Sequence, residues 1–433
     1  MKILIVGNGG REHALAWGIR NSPSFKNSNG ELFSTIGSAG LNSISTPVNI
    51  KADNVSAICE FSKENNFDFV IVGPELPLSL GLVDELNKLG IMVFGPTKSA
   101  AEIESSKIFA KEMMKSAGIP TAEFRKFTAR EFDDAINYLK ISQYPLVIKA
   151  DGLAAGKGVV IVDSFAVACK TLEDMVINKA FGNAGVNFVI EQFLNGYELS
   201  VFAITDGSDY VVLPPSQDHK RIGDGDTGKN TGGMGAYSPV PEKFYDKSLE
   251  EKIKLKIIEP ALKQMKLLNR EYKGCLYCGL MISECNGEKE PYVVEFNCRF
   301  GDPESQAVIP LIKSDFLQLL LASSTDNIRN YKLEIHNKFA VCVIIASGGY
   351  PDKYQTGKKI TGLEKISPDV LAFHSGTTFD DNNNIITSGG RVLGITALSE
   401  TSVSDAINKA YENVSLINFE NCYYRKDIGY RVL

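Results

Sequence analysis

The residues best able to do chemistry together lie in one short run, Val293-Val294-Glu295-Phe296-Asn297-Cys298-Arg299-Phe300-Gly301-Asp302-Pro303-Glu304. It starts as an apolar strand and ends as a charged loop. Strand side chains alternate between faces, so Val294, Phe296, Cys298 and Phe300 are expected on one face and Glu295, Asn297 and Arg299 on the other. An anion, an amide and a cation buried side by side need compensating partners, because an unpaired buried ion is costly. Carboxylate and amide oxygens suit a hard divalent cation such as Mg2+ or Mn2+, and a guanidinium suits phosphate. The alternative is a half-solvated strand whose polar face meets water.

Phosphates would need further cations, and the sequence offers them near flexible backbone. Strands are expected over Pro145–Lys149 and Val159–Val162, joined by a Gly-rich loop containing Gly156, Lys157 and Gly158. With Lys149 and Lys157 on its two sides, this hairpin fits a flap that closes over phosphates; a plain mobile tip is the other reading. It is not a Walker A loop, because Gly158 stands where the Mg2+-binding Ser or Thr would be. Lys107 opens a helix read over Ser105–Ala117, which Gly118 and Pro120 end. A cation in a first turn opposes the helix dipole, a mismatch that a bound anion would relieve. After a strand over Phe188–Leu194 and a turn at Asn195-Gly196, backbone groups fit an adenine edge and Glu198 fits ribose hydroxyls. The stretch Gln217–Pro239 is rich in Gly, Asp and cations, and too long for a simple connection, so it is either functional or disordered. His219, Lys220 and Arg221 supply charge there, and Gly232, Gly233 and Gly235 allow close backbone approach.

These residues need a scaffold. A chain of 433 residues with 23% charged and 44% apolar residues is an ordinary globular composition with room for several domains. The net charge of -6 argues against a nucleic-acid-binding protein. No apolar run reaches membrane-spanning length, and the start reads as a first strand rather than a signal peptide, so a cytoplasmic protein is expected. Eight cysteines do not make a disulfide scaffold. Cys275 and Cys278, three apart in a strand, are expected to point to opposite faces, against a zinc site. Apolar runs at Ile3–Val6, Phe69–Val72 and Ile91–Phe94, with helical stretches such as Val55–Lys63 between them, predict a parallel sheet covered by helices. The turn Gly7-Asn8-Gly9-Gly10-Arg11-Glu12 falls short of a dinucleotide fingerprint, with Glu12 where the third Gly should be. It either holds a phosphate on backbone N–H groups or is simply tight. His13 reads as a helix residue beside that turn. Strands over Phe339–Ala346 and Val392–Ala397, and a helix face of Ile407, Ala410, Tyr411 and Val414, predict a small α+β unit at the end.

Taken together, these pieces resemble the ATP-grasp superfamily, and within it the phosphoribosylamine–glycine ligase family. The resemblance runs nearly end to end, through GNGGREHAL, GPELPL, KADGLAAGKGV, EQFLNGYELS, QDHKRIGDGDTGKNTGGMGAYSP, EFNCRFGDPESQ, SGGYP, SGGRVLGIT and the terminal YYRKDIGYRVL. Leu76 and Cys278 depart from the usual Ala. The resemblance implies a fold that is α/β and α+β and multidomain. Its expected parts are a Rossmann-like N-terminal parallel α/β domain over 1–104, an ATP-grasp domain over 105–326 with a flap inserted at about 122–190, and an α+β cap over 327–433. It implies ATP-dependent joining of glycine to 5-phosphoribosylamine by a cytoplasmic monomer, with no fused downstream activity. It implies Glu295 and Asn297 as ligands of Mg2+ or Mn2+, with Glu284 as a possible third acid. It implies Lys107, Lys149, Lys157, Gly156 and Gly158 around the ATP phosphates, Glu191 and Leu194 at adenine, and Glu198 at ribose. Arg299, with Lys149, would stabilise the acyl phosphate. Gly9, Asp218, His219, Lys220, Arg221, Asn230, Gly233 and Asp302 would hold glycine and the phosphoribosyl group. A biotin-dependent carboxylase subunit, a formate-using purine ligase and a non-catalytic nucleotide-binding regulator are the competing readings.

Overall fold

The apolar runs near the N-terminus pair as expected. In a computed structural model, which describes residues 1–153, 158–180 and 185–433 without the Cys285 side chain, they form a five-stranded sheet. Its order is Thr46–Val48, Glu31–Thr35, Lys2–Val6, Phe69–Val72, Met92–Phe94, parallel throughout. Strand Lys2–Val6 is buried on both faces: Ile3 and Ile5 enter one core and Leu4 and Val6 another. Such double burial is why the run reads as continuously apolar. Order reverses on either side of this strand, so the Gly7–Gly10 turn sits at the switch point where open parallel sheets leave a crevice.

The helix expected over Ser105–Ala117 runs Lys107–Ala117, behind a separate helix Lys98–Ser105. Ser106 parts the two because its hydroxyl caps the second, accepting from the Phe109 N–H at 3.1 Å. Gly118, at φ +67°, ends that helix. Asp151 accepts from the Ile108 N–H at 3.1 Å, placing an anion at the helix start that Lys107 alone would disfavour.

A separate four-stranded antiparallel sheet orders Phe124–Thr128, Asn187–Gln192, Leu146–Ala150 and Val159–Val162. Helices Phe132–Ile141 and Phe165–Leu172 pack Leu139 and Leu172 against Phe127, Ile148 and Phe188 in its own core. The predicted hairpin is present, with Lys149 opposite Val159. Its loop residues Gly156 and Lys157 lie outside the described residues.

The third sheet orders Tyr210–Val212, Tyr197–Thr205, Gly274–Cys285 and Glu288–Asn297. Register shifts between Gly279 and Leu280: Glu295 faces Gly279 while Val293 faces Leu280. Val294 is therefore an extra residue in a β-bulge, which corrects the expected alternation. Val293, with Phe296 and Cys298, enters the core, and Val294 turns to the cleft beside Glu295. Cys275 and Cys278 lie in different cores, as their spacing predicts.

The fourth sheet joins distant sequence. Gln217–Asp218 and Gly235–Ser238 pair with each other and then with Phe339–Ser347, Arg391–Ser399 and Val370–His374. The Gly-rich stretch 217–239 is thus ordered, with a second hairpin of Arg221–Gly223 and Thr227–Asn230. The sheet crosses the boundary expected near residue 327. Helix Val403–Val414 covers it with Ile407, Ala410 and Val414, each large side chain contributing about 1.5–3 kcal/mol by burial. Among the described residues, no helix is long and apolar enough to cross a membrane. The α/β and α+β multidomain class read from sequence is the observed one.

Candidate active site

A cleft of about 570 Å³ opens where the sheets meet, within the usual range for a small-molecule site. One wall is the quoted strand. Its Glu295 and Asn297 lie close, with 3.5 Å from the Asn297 amide nitrogen to Glu295 Oε1. Burial alone would raise the Glu295 carboxyl. Lys220, Lys107, Lys149 and Arg299 outweigh it and hold the group below its ordinary value, so Glu295 is an anion at neutral pH. Arg299 reaches back to Glu104 at 2.9 Å and Glu75 at 3.2 Å, and to Asn297 Oδ1 at 3.2 Å. Its charge is compensated and its fork is fixed.

The facing wall carries ammonium groups. Lys149 Nζ lies 2.9 Å from Glu191 Oε2 and donates to the Val294 carbonyl at 3.0 Å. Lys111 shares the same Glu191 oxygen at 2.9 Å and donates to Thr121 at 2.7 Å. Burial first, opposed by Glu191 and aided by Lys149, brings Lys111 down to about 8. Among the described residues, Glu191 Oε1 is buried with no hydrogen-bond partner, a polar atom that a donor in the cleft would satisfy. Lys107 donates to the Gly152 carbonyl at 3.2 Å.

The third wall comes from the fourth sheet. Lys220 pairs with Glu198 at 2.8 Å. Arg391 lies 3.0 Å from Asp302 Oδ2 and donates to the carbonyls of Asp302 and Gly232 at 2.7 and 2.6 Å. Gln306 donates to Asp302 at 2.7 Å. The hairpin at 221–230 is held from behind by the chain's last residues. Arg425, wholly buried, pairs with Asp226 and Asp427 at 2.8 Å each, and Arg431 with Asp226 at 2.6 Å. Burial alone would raise Asp226, yet hydrogen bonds from Arg425, Arg431 and Tyr430 hold it well below the carboxylate range. Its contribution is therefore full at neutral pH and is lost as pH falls through its depressed folded value. Asp226→Ala leaves the buried Arg425 and the half-buried Arg431 each short of a partner and is expected to cost about 3 kcal/mol, read as a lowered midpoint in urea unfolding.

An array of lysines facing a carboxylate–amide pair and an arginine suits phosphoryl groups with a divalent cation. Three models match in chain order, all of phosphoribosylglycinamide synthetase: the N domain over residues 1–104, the ATP-grasp (A) domain over 105–305 and the C domain over 340–431. The phosphoribosylamine–glycine ligase of Caldanaerobacter subterraneus subsp. tengcongensis is 44% identical, covering 99% of each chain. The chain belongs to the phosphoribosylamine–glycine ligase family. That of Synechocystis sp. is 43% identical over the full length of both. A bifunctional purine biosynthetic protein of Pichia angusta is 43% identical, and the chain spans 54% of its length. The crystal structure of the Thermotoga maritima phosphoribosylamine–glycine ligase superposes with a TM-score of 0.83 at 34% identity, covering 99% of this chain and 100% of that one. The biotin carboxylase domain of the Hydrogenobacter thermophilus 2-oxoglutarate carboxylase, at 15% identity and TM-score 0.73 over 98% and 91%, shares the fold.

Within this ligase-family cleft the structure gathers most residues singled out from sequence. Lys107, Lys149, Gly158, Glu191, Leu194 and Glu198 line it, as do Asp218, Lys220, Asn230, Glu295, Asn297, Arg299 and Asp302. Others are placed differently. His219 is fully buried, because strand alternation turns it away from the face of Asp218 and Lys220. It packs against Tyr237 and Tyr430, accepts from the Gly429 N–H at 3.3 Å, and is lowered to about 3 by burial and then by Arg431 and Arg425. It is a neutral structural residue. Arg221 donates to the Gly228 carbonyl at 2.7 Å within its own hairpin and does not line the cleft. The Gly9 N–H is engaged by Glu12 Oε2 at 2.6 Å, so the turn is held from within and Gly9 offers no free donor. Gly233, at φ +107°, packs so close to Pro303 that a Cβ would lie 2.4 Å from its Cδ; it donates to Thr231 at 2.9 Å and does not line the cleft. Glu284 is exposed; the cleft side of its strand carries Tyr277 and Met281. Lys111, Glu75, Glu104, Glu304 and Arg391 line the cleft without having been singled out. Lys111, four residues after Lys107 and so on the same helix face, was legible; the others pair across distant sequence.

Proposed function

We propose that the chain joins glycine to 5-phosphoribosylamine: ATP, glycine and the amine give ADP, phosphate and glycinamide ribonucleotide. The observation that carries this is the facing of Glu295, Asn297 and Arg299 by Lys107 and Lys149 across one cleft in a member of this ligase family. A carboxylate is a poor acyl donor, so its oxygen first takes the terminal phosphoryl group of ATP to form glycyl phosphate, and ADP leaves. Such a transfer needs positioning and charge compensation more than covalent help.

Glu295 and Asn297 fit a hard cation: Glu295 is ionised with one long hydrogen bond, and Asn297 Oδ1, which accepts from Arg299 at 3.2 Å, keeps a second lone pair. They would hold Mg2+ or Mn2+, which when bound supplies charge neutralisation and alignment of phosphate oxygens. Lys107 and Lys149, with Lys157, Gly156 and Gly158 of the flap, bind the ATP phosphates. Backbone groups of Glu191 and Leu194 frame adenine, and Glu198 accepts from ribose. Arg299 steadies the charge on glycyl phosphate. Lys220, Asn230 and Asp302 hold glycine and the phosphoribosyl group, with Asp218 placed at the amine, Arg391 added to that set and Gly9 and Gly233 packed behind it. The domain limits at 104 and 326 and the flap at about 122–190 belong to the same reading, as do a cytoplasmic setting and action as a monomer on small molecules.

The test is ADP release with phosphoribosylamine generated in situ. Release is expected only when glycine and the amine are both present. Comparable release with bicarbonate or formate in place of glycine would move the chain to another ATP-grasp reaction, and ATP binding without release to a regulator. Arg391→Met should raise the KM for the amine about tenfold or more, the loss of one charge-assisted contact, with the KM for ATP unchanged; equal shifts in both would remove Arg391 from the amine site.

A further inference from the structure

The second half of the reaction releases a proton, and the cleft offers several carboxylates. Nearly all are engaged. Glu198 is paired with Lys220, and Glu191 with Lys111 and Lys149. Arg299 takes Glu75 and Glu104, and Arg391 takes Asp302. Glu304 accepts the Tyr277 hydroxyl at 2.7 Å. Glu295 is held ionised by four cations. Asp218 differs. Its side chain borders the cleft and the residue is 5% exposed, yet among the described residues no donor of the chain bonds its carboxylate.

We propose that Asp218 is the general base of the amide-forming step, accepting the proton that the attacking amine must lose. This rests on the ligase reading above. The amine nitrogen forms a bond to the glycyl carbonyl carbon. The bond from that carbon to the phosphate oxygen breaks, and phosphate departs with the electron pair. One N–H proton passes to the Asp218 carboxylate and from there to solvent.

The geometry prepares the residue for this. Its backbone pairs with Ala236, and its carbonyl accepts from Arg431 at 3.1 Å, so the carboxylate is aimed from a fixed strand. The charged groups around it are Lys220 beside it, Glu198 on strand Tyr197–Thr205, Glu304 on helix Glu304–Val308 and Arg431 behind. Burial, against the pull of Lys220 and Arg431 and with Glu304 and Glu198 adding to it, pushes the carboxyl up to about 7. A base works best when its pKa in the site lies near the working pH. The deprotonated form is the active one, so the rate of transfer should fall as pH drops below this value.

The experiment separates the two half-reactions. Oxygen-isotope scrambling within ATP, in the presence of glycine and without the amine, reports reversible formation of glycyl phosphate. In Asp218→Asn, scrambling is expected within about threefold of wild type while transfer to phosphoribosylamine falls about a hundredfold or more. The acid limb of the wild-type transfer rate near neutral pH should vanish in that variant and persist, at reduced rate, in Asp218→Glu. Equal loss of scrambling and transfer would make Asp218 a glycine anchor, and wild-type transfer would hand the proton to the departing phosphate; either overturns the proposal. Should the Asn variant fail to fold by circular dichroism, a wild-type transfer rate with no acid limb between about pH 6 and 8 overturns it equally. Absence of glycine-dependent scrambling in wild type would instead defeat the ligase reading.

Discussion

Glu295→Ala is expected to leave the fold standing and to lower ATP-dependent turnover by about a thousandfold or more, the loss of roughly 4 kcal/mol of charge stabilisation. The two halves of that expectation have different causes. The fold is expected to stand, at a cost from the cations left without their anion, because Glu295 itself makes one long hydrogen bond, 3.5 Å to Asn297, which contributes little. Its neighbours Phe296 and Val293 supply the packing of that strand. Catalysis does not tolerate it, because the carboxylate is the anion that the surrounding lysines and Arg299 hold ionised. Without it the cleft keeps its cations and loses the hard oxygen that a divalent cation needs. ADP release at saturating Mg2+, beside a thermal melt, checks both halves. Turnover near wild type would sink the metal role, and a collapsed melting transition would reassign Glu295 to structure.

Lys149→Met is expected to weaken ATP binding by about tenfold to a hundredfold, the value of one charge-assisted hydrogen bond. Lys149 is anchored on both sides, by Glu191 and by the Val294 carbonyl, so its ammonium is positioned before any nucleotide arrives. Methionine keeps the packing and removes the charge. Unchanged affinity by calorimetry would count against a phosphate role. The same variant has a second readout. Burial and Lys149 together lower Lys111 from 10.5 to about 8. The unfolded chain then binds the extra proton, so Lys111 makes wild-type stability rise as pH climbs from about 8 to 10.5. With Lys149 gone, Lys111 should hold its proton longer and that rise should begin at higher pH, as seen in melting temperatures across this range.

Much of the molecule was legible because its signals are local. Continuous apolar runs such as Phe69–Val72 mark doubly buried parallel strands, and Gly118 marks a helix end. The motif Glu295, Asn297, Arg299 announces a polar face within seven residues, and the lysines on either side of a Gly-rich loop announce an anion. Those residue types and spacings, together with the longer family motifs, determined the fold class and most of the cleft.

Tertiary structure decided what depends on partners far along the chain. The bulge at Val294 follows from pairing with Gly279 and Leu280 across the hairpin, and it turns one predicted core residue into a cleft residue. The strands at 217–218 and 235–238 read as loop because the first pairs only with the second, and the second's other partner, Phe339–Ser347, lies about a hundred residues on. That pairing sends His219 into the core and brings Asp218 and Lys220 to the cleft. Arg391, Glu75 and Glu104 carry no local signal, since an ion pair across the fold leaves no spacing to read. Side-chain alternation is a property of neighbours, whereas charge compensation is a property of three-dimensional enclosure, and only the folded chain shows which cleft carboxylate finds no donor among the described residues.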